Sequence, residues 1–294
     1  MFQGAITAMI TPFADGRVDE ARLRANVETQ IEKGIDGLVP CGTTGESPTL
    51  SHDEHNKVID IVIDAVGGRV PVIAGTGSNA TDEALDMTRH AAESGATASL
   101  QVSPYYNKPT QEGLYRHFMA IADDVELPMV LYNIPGRCGV ALSIATIQRL
   151  AQHPNIVAIK EATGSLDLAS EISATTDLDI LSGDDSLTLP LMSVGGKGVI
   201  SVASNIIPDR VAELAHLALE GRWDEARDRH LKLFELFKGL FIETNPVPVK
   251  TAAHLMGFDT GQMRLPMCEM SETNLAALKT LLQKHGLLSA AASA

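Results

Sequence analysis

Eight short apolar runs, separated by segments of helical periodicity, leave this chain few folds to choose from. The runs cover residues 5–10, 37–42, 70–75, 97–102, 129–133, 155–162, 179–183 and 198–202. A short continuous apolar run reads as a strand buried on both faces, the kind found in parallel sheets. Helical patterns cover 19–34, 51–66, 81–94, 111–124, 143–152 and 209–220. Asp19 is placed to cap the first of these, and Ser51 with Glu54 forms a capping box at the second. Strands alternating with helices across short connections imply a parallel sheet under helical cover. Eight such units within about two hundred residues imply an α/β fold, a closed (β/α)8 TIM barrel, with an open doubly wound sheet as the alternative.

The strand signal stops after Gly221. Helical patterns at 223–241, 249–256 and 271–285 then predict a C-terminal helical appendage. The expected domains are a catalytic barrel over 1–221 and an α-helical domain over 222–294, with 289–294 as a frayed end.

A net charge of −14 argues against a nucleic-acid or anionic membrane partner. The chain opens without a basic, apolar leader and has no apolar run long enough to span a bilayer. Cys41, Cys138 and Cys268 are odd in number, far apart and outside any C-x-x-C pattern. That usage fits a reducing compartment, and a cytoplasmic location is expected. Cys41 and Cys138 read as small space-fillers rather than nucleophiles. His52 and His55 share a helical face, but no further ligands converge on them in the sequence, so no metal and no cofactor are expected.

One residue breaks the apolar pattern. The run at 155–162 spends its sixth position on Lys160. A buried amine loses the hydration of its charged form, so its pKa falls and the neutral nucleophile becomes available. In an α/β barrel, active-site groups sit at the C-terminal ends of strands. Those ends here carry Gly42-Thr43-Thr44-Gly45-Glu46, Tyr105-Tyr106-Asn107-Lys108-Pro109, Tyr132-Asn133-Ile134-Pro135-Gly136-Arg137, Lys160-Glu161 and Gly183-Asp184-Asp185. Thr43 and Thr44 offer hydroxyls and amides to a carboxylate, Tyr132 can relay a proton, and Arg137 offers a planar fork. A lysine among such groups can form a Schiff base with a keto acid and act as its electron sink.

Two glycine-rich stretches point elsewhere. Gly75-Thr76-Gly77-Ser78-Asn79-Ala80 imitates a dinucleotide fingerprint but lacks the acidic residue that should close the next strand. Gly195-Gly196-Lys197-Gly198 imitates a phosphate cradle but precedes the eighth strand, at the wrong end of a barrel.

Together with Val157-Ala158-Ile159-Lys160-Glu161, Gly198-Val199-Ile200-Ser201 and Asn245-Pro246-Val247-Pro248-Val249-Lys250, these motifs resemble the dihydrodipicolinate synthase family along nearly the whole chain. That family lies within the pyruvate-dependent class I aldolase superfamily, which includes N-acetylneuraminate lyase. The resemblance implies a lyase that condenses pyruvate with L-aspartate 4-semialdehyde on the diaminopimelate route to lysine. It implies that Lys160 forms the imine, and that Tyr132 moves protons through Thr43 to Tyr106 of a neighbouring subunit. It implies that Thr44, Gly183 and Ile200 line the pyruvate site and that Arg137 holds the aldehyde substrate's carboxylate. It further implies a homotetramer built as a dimer of dimers. An inhibitory lysine would bind at Pro48, His52, His55, Asn79, Glu83 and Tyr105. Cys138 departs from the threonine common after the arginine. A sialate or 2-keto-3-deoxy-sugar acid lyase is the alternative, opposed by Arg137 and Tyr106.

Overall fold

The computed structural model describes residues 1–289; most of the end expected to fray, 290–294, lies outside them. The eight expected strands form as β1 Gly4–Ala8, β2 Gly37–Val39, β3 Ile73–Gly75, β4 Ala98–Val102, β5 Met129–Asn133, β6 Ile156–Glu161, β7 Asp179–Ser182 and β8 Gly198–Ser201. They make one parallel sheet in the order β2-β1-β8-β7-β6-β5-β4-β3. A parallel bridge between Leu38 and Val72 joins its two ends, flanked by Leu38 N–H to Pro71 O and Gly75 N–H to Pro40 O, both 3.0 Å. The sheet therefore closes into a barrel. β2 and β3 are shorter than expected because Pro40 and Pro71 have no N–H for the ladder.

Helices cover the outside: α1 Glu20–Glu32, α2 His52–Val66, α3 Thr81–Glu93, α4 Gln111–Asp124, α5 Ile144–Leu150, α6 Leu166–Thr175, α7 Thr188–Met192 and α8 Pro208–Leu219. The Asp19 carboxylate accepts from Arg22 N–H, and the Ser51–Glu54 capping box is formed in both directions. The sequence reading missed α6, α7 and a one-turn helix at Pro135–Cys138. It also missed a hairpin, Phe13–Ala14 with Arg17–Val18, whose Asp15-Gly16 turn has φ of 51° and 74°. Asp-Gly between strands is a strong hairpin signal, so that element was legible.

The tail forms α9 Trp223–Gly239, α10 Val247–Leu255 and α11 Glu272–Lys284. α10 starts earlier than expected, with Pro248 in its first turn, where a missing N–H costs nothing. One apolar cluster holds Val199 and Val211 of the barrel units with Leu236, Phe237, Val249, Leu278 and Leu282 of the tail. The tail and barrel thus share a core. Leu236 is fully buried there, and Leu236→Ala should cost about 2–5 kcal/mol of stability in urea unfolding.

Candidate active site at the barrel mouth

Strand periodicity aims Lys160 inward. Val130, Tyr132, Ala158 and Ile200 belong to the cluster filling the barrel, while Leu131 and Ile159 pack outward against the helices. Side chains two apart share a face, so Lys160 projects with Ala158 into the lumen. The register sets Lys160 beside Tyr132 on β5 and Leu181 on β7.

Lys160 is only 6% exposed, and its ammonium lies 4.3 Å from the centroid of the Tyr132 ring. Burial pushes its pKa from 10.5 down to about 8; the Asp184 and Asp185 charges oppose the fall and Arg137 adds to it. Burial also pushes the Tyr132 phenol up, against the Arg137 charge and a hydrogen bond with Thr43. The phenol therefore keeps its proton while the amine releases its own with ease. Asp185 accepts from Ser201 Oγ and from the Val202 and Ala203 N–H groups at 3.0 and 2.9 Å, so it braces the turn after β8.

Thr43 and Thr44 follow β2. Thr44 is buried, and its hydroxyl accepts from Asn245 Nδ2 at 3.0 Å. The Asn245 carbonyl in turn accepts from Arg137 at 3.2 Å. Asn245, just ahead of α10, thus ties Thr44 to Arg137, a role that sequence reasoning did not assign. Gly183 lies at the end of β7, where a Cβ would meet that of Ala162 at 2.6 Å. Ile200 is fully buried and sits beside Ile6 in register. Burial lifts the thiols of Cys41 and Cys138, the latter to about 11, as suits inert space-fillers.

A cavity of about 320 Å³ opens beside this cluster. Its lining includes Thr43, Pro48, His52, His55, Glu83, Tyr105 and Arg137. Lys160 and Thr44 lie outside its lining. Burial holds His55 well below its ordinary value, at about 4, so it is neutral at neutral pH. Ser78 donates to Glu83 at 2.6 Å, and Asn79 is held by Tyr105 O and Asn107. Ser78 was also missed; its only signal was the glycine-rich stretch around it. Gly75 and Gly77 are there for packing, since a Cβ on either would meet Cys41 O at 2.4 Å or Val102 N at 2.3 Å. Gly198 is pressed as closely against Gly4. Tyr106 stands apart, 90% exposed and at φ 72°.

A buried lysine of lowered basicity at a barrel mouth suits imine chemistry on a carbonyl compound, and the class of protein that such a fold and site fit is an aldolase-type lyase. Comparison with known proteins narrows the class. The model of the dihydrodipicolinate synthetase family matches residues 1–285, and the chain belongs to that family. It is 56% identical over 290 residues to a 4-hydroxy-tetrahydrodipicolinate synthase of Citrifermentans bemidjiense, covering 98% of this chain and 100% of the relative. The crystal structure of dihydrodipicolinate synthase from Aquifex aeolicus matches with TM-score 0.96 and 51% identity, over 97% of this chain and 99% of that one. A dihydrodipicolinate synthase from Cyanidioschyzon merolae, solved with lysine bound, matches with TM-score 0.95 and 42% identity, over 98% and 99%.

The lowered pKa carries a stability consequence. Below about pH 8 both folded and unfolded chains hold the Lys160 proton, and the burial cost is fully present. Between about 8 and 10.5 the unfolded chain binds more protons, so stability rises with pH across that window. Lys160→Met should therefore raise stability at pH 7 by on the order of 1–3 kcal/mol. Urea unfolding of both proteins checks this, and a less stable variant would contradict a charged amine buried at a cost.

Proposed function

We infer that the chain works as a 4-hydroxy-tetrahydrodipicolinate synthase in lysine biosynthesis, using Lys160 to hold pyruvate as an imine. The observation that carries the reading is the buried amine at about pKa 8, set against the Tyr132 ring. The neutral amine attacks the pyruvate ketone, and the carbinolamine loses water with the Tyr132 phenol as proton donor. The imine then sheds a methyl proton to give an enamine, with the nitrogen as electron sink. The enamine attacks the aldehyde carbon of L-aspartate 4-semialdehyde. The substrate's own amine displaces Lys160, closing the ring and freeing the enzyme.

Thr44 with the backbone at Gly183 and Ile200 would receive pyruvate, and Arg137 would hold the second substrate's carboxylate in a charge-assisted pair. Thr43 is hydrogen-bonded to Tyr132 and extends the proton path outward. Tyr106 would complete that path in a neighbouring copy of the chain, which its exposure and outward placement support. A dimer of dimers fits that exchange.

The cavity beside the mouth would take lysine as an inhibitor. Glu83 can pair with its amine, while Pro48, His52, His55 and Tyr105 enclose it; Asn79 lies outside the cavity lining and would reach the carboxylate by giving up its bond to Tyr105 O. The Cyanidioschyzon relative, solved with lysine bound, supports this use.

Borohydride added with pyruvate should leave one reduced pyruvate adduct on the Lys160 peptide by mass spectrometry. An unmodified Lys160 would remove the mechanism. Tyr132→Phe should lower kcat by about 100-fold or more, as expected for loss of a positioned proton donor. Millimolar-range lysine should slow the wild type, and Glu83→Ala should release that inhibition; a wild type indifferent to lysine would end the regulatory reading.

A further inference from the structure

The loop that presents Thr43 and Thr44 is held in a strained shape. Cys41 and Glu46, the residues on either side of Gly42-Thr43-Thr44-Gly45, have φ of 56° and 55°. Left-handed backbone in non-glycine residues persists only where surrounding contacts over-determine it. At Glu46 those contacts come from the C-terminal tail.

Lys250 on α10 is fully buried, and Glu46 is 2% exposed. The Lys250 ammonium donates to Glu46 Oε1 at 2.5 Å and to Thr11 O at 2.8 Å, and lies 4.2 Å from the Phe13 ring centroid. The other Glu46 oxygen accepts from Arg264 N–H at 3.1 Å. Thr11 Oγ1 donates to Gly45 O at 2.7 Å, so the residue whose carbonyl Lys250 holds also holds the loop through its side chain. From Glu46 the path to the site is one bond long: its N–H donates to Thr43 O at 3.1 Å.

We propose that Lys250 and Glu46 form a positioning pair that holds the Thr43–Thr44 loop in register with Tyr132 and Lys160. The proposal rests on the Schiff-base reading above and adds to it a requirement seated in the helical tail. A buried pair is poor evidence of stability, since apolar residues of similar volume often serve as well. What the pair supplies here is a fixed backbone: charge compensation keeps the Glu46 carboxylate buried, and the carboxylate keeps residue 46 left-handed. Asn245, five positions before Lys250, grips Thr44 directly. The tail therefore holds the loop at two points.

The test is the double variant Glu46→Gln with Lys250→Met, which removes both charges of the pair; buried Asp259 loses the Lys250 charge too, and burial, which already pushes its pKa up, then favours its neutral form. Rates are normalised to the subunits that acquire the pyruvate adduct on Lys160 under borohydride. The expected result is a kcat lower by about 10- to 100-fold, the scale of a misplacement of about 1 Å. The KM for pyruvate should change less than about threefold, since Asn245 still holds Thr44, the residue that would receive pyruvate, and the contact that shifts is the one between Thr43 and Tyr132. A mere staple between tail and barrel gives the opposite pattern: a lower melting temperature and wild-type turnover per competent subunit. A double variant with kcat within about twofold of wild type overturns the proposal. Should it fail to fold, Glu46→Asp decides. That variant keeps both charges and moves the carboxylate by one methylene, and unchanged kcat per competent subunit would likewise overturn the pair's role. The two readings fail separately. Without a Lys160 adduct in the wild type the Schiff-base reading falls, whereas an adduct with variants of equal rate removes only the positioning pair.

Discussion

Removal of water from around one amine organises the mouth of this barrel. Lys160 on a solvated surface would hold its proton near 10.5 and be a poor nucleophile at neutral pH; enclosed by β5, β6 and β7, it titrates near 8. The closed sheet is what makes that enclosure possible, since its inward residues fill the lumen with apolar side chains. The compensating charges are close but indirect. Asp184 and Asp185 raise the amine's pKa without cancelling the effect of burial, and Asp185 has committed its carboxylate to Ser201 and the turn after β8. A direct carboxylate partner would have held the ammonium charged. The architecture avoids one and accepts a cost in stability, as functional sites commonly do.

The tail is part of the same arrangement. α9 to α11 share the main apolar cluster with the barrel's outer face, and the segment between α9 and α10 reaches the mouth. There Asn245 bridges Thr44 and Arg137, and Lys250 neutralises Glu46. A (β/α)8 barrel takes its functional groups from the strand ends, each on a separate loop. Here residues distant in sequence from those loops bind two of them together, which reduces the freedom of Arg137 relative to the threonines.

Much of this was legible in the sequence. Period and run length gave the eight strands, since double burial demands continuous apolar residues, and the rule of strand ends then singled out Lys160, Tyr132, Thr43 and Thr44. Capping at Asp19 and Ser51 was readable because it is local chemistry. Asn245 and Lys250 were not readable as partners of the mouth. Their bonds to Thr44 and Glu46 span 201 and 204 positions, and no periodicity encodes a contact at that range. The glycines of residues 75–80 misdirect for a related reason. Glycine marks close backbone approach whether the neighbour is a pyrophosphate or another strand, and here the neighbours are Cys41 and Val102. Strand ends at Pro40 and Pro71 shifted because a missing N–H acts on the ladder and leaves no trace in hydropathy.

Burial treats the two neighbouring groups in opposite senses, and the difference gives the chemistry its direction. Both Lys160 and Tyr132 are driven toward their neutral forms, the amine by losing a proton and the phenol by keeping one. A neutral amine beside a neutral phenol is a nucleophile beside a proton donor, which is the combination that carbinolamine formation and dehydration require. Once the phenol had given its proton to departing water, the phenolate would be the disfavoured form at so buried a position. It would then recover a proton, and the methyl group of the imine is acidic because the nitrogen is now charged. On the Schiff-base reading, the same desolvation that lowers the Lys160 pKa would make Tyr132 the base one step later. Thr43, hydrogen-bonded to the phenol, is the group through which the shape of its loop would reach that proton transfer.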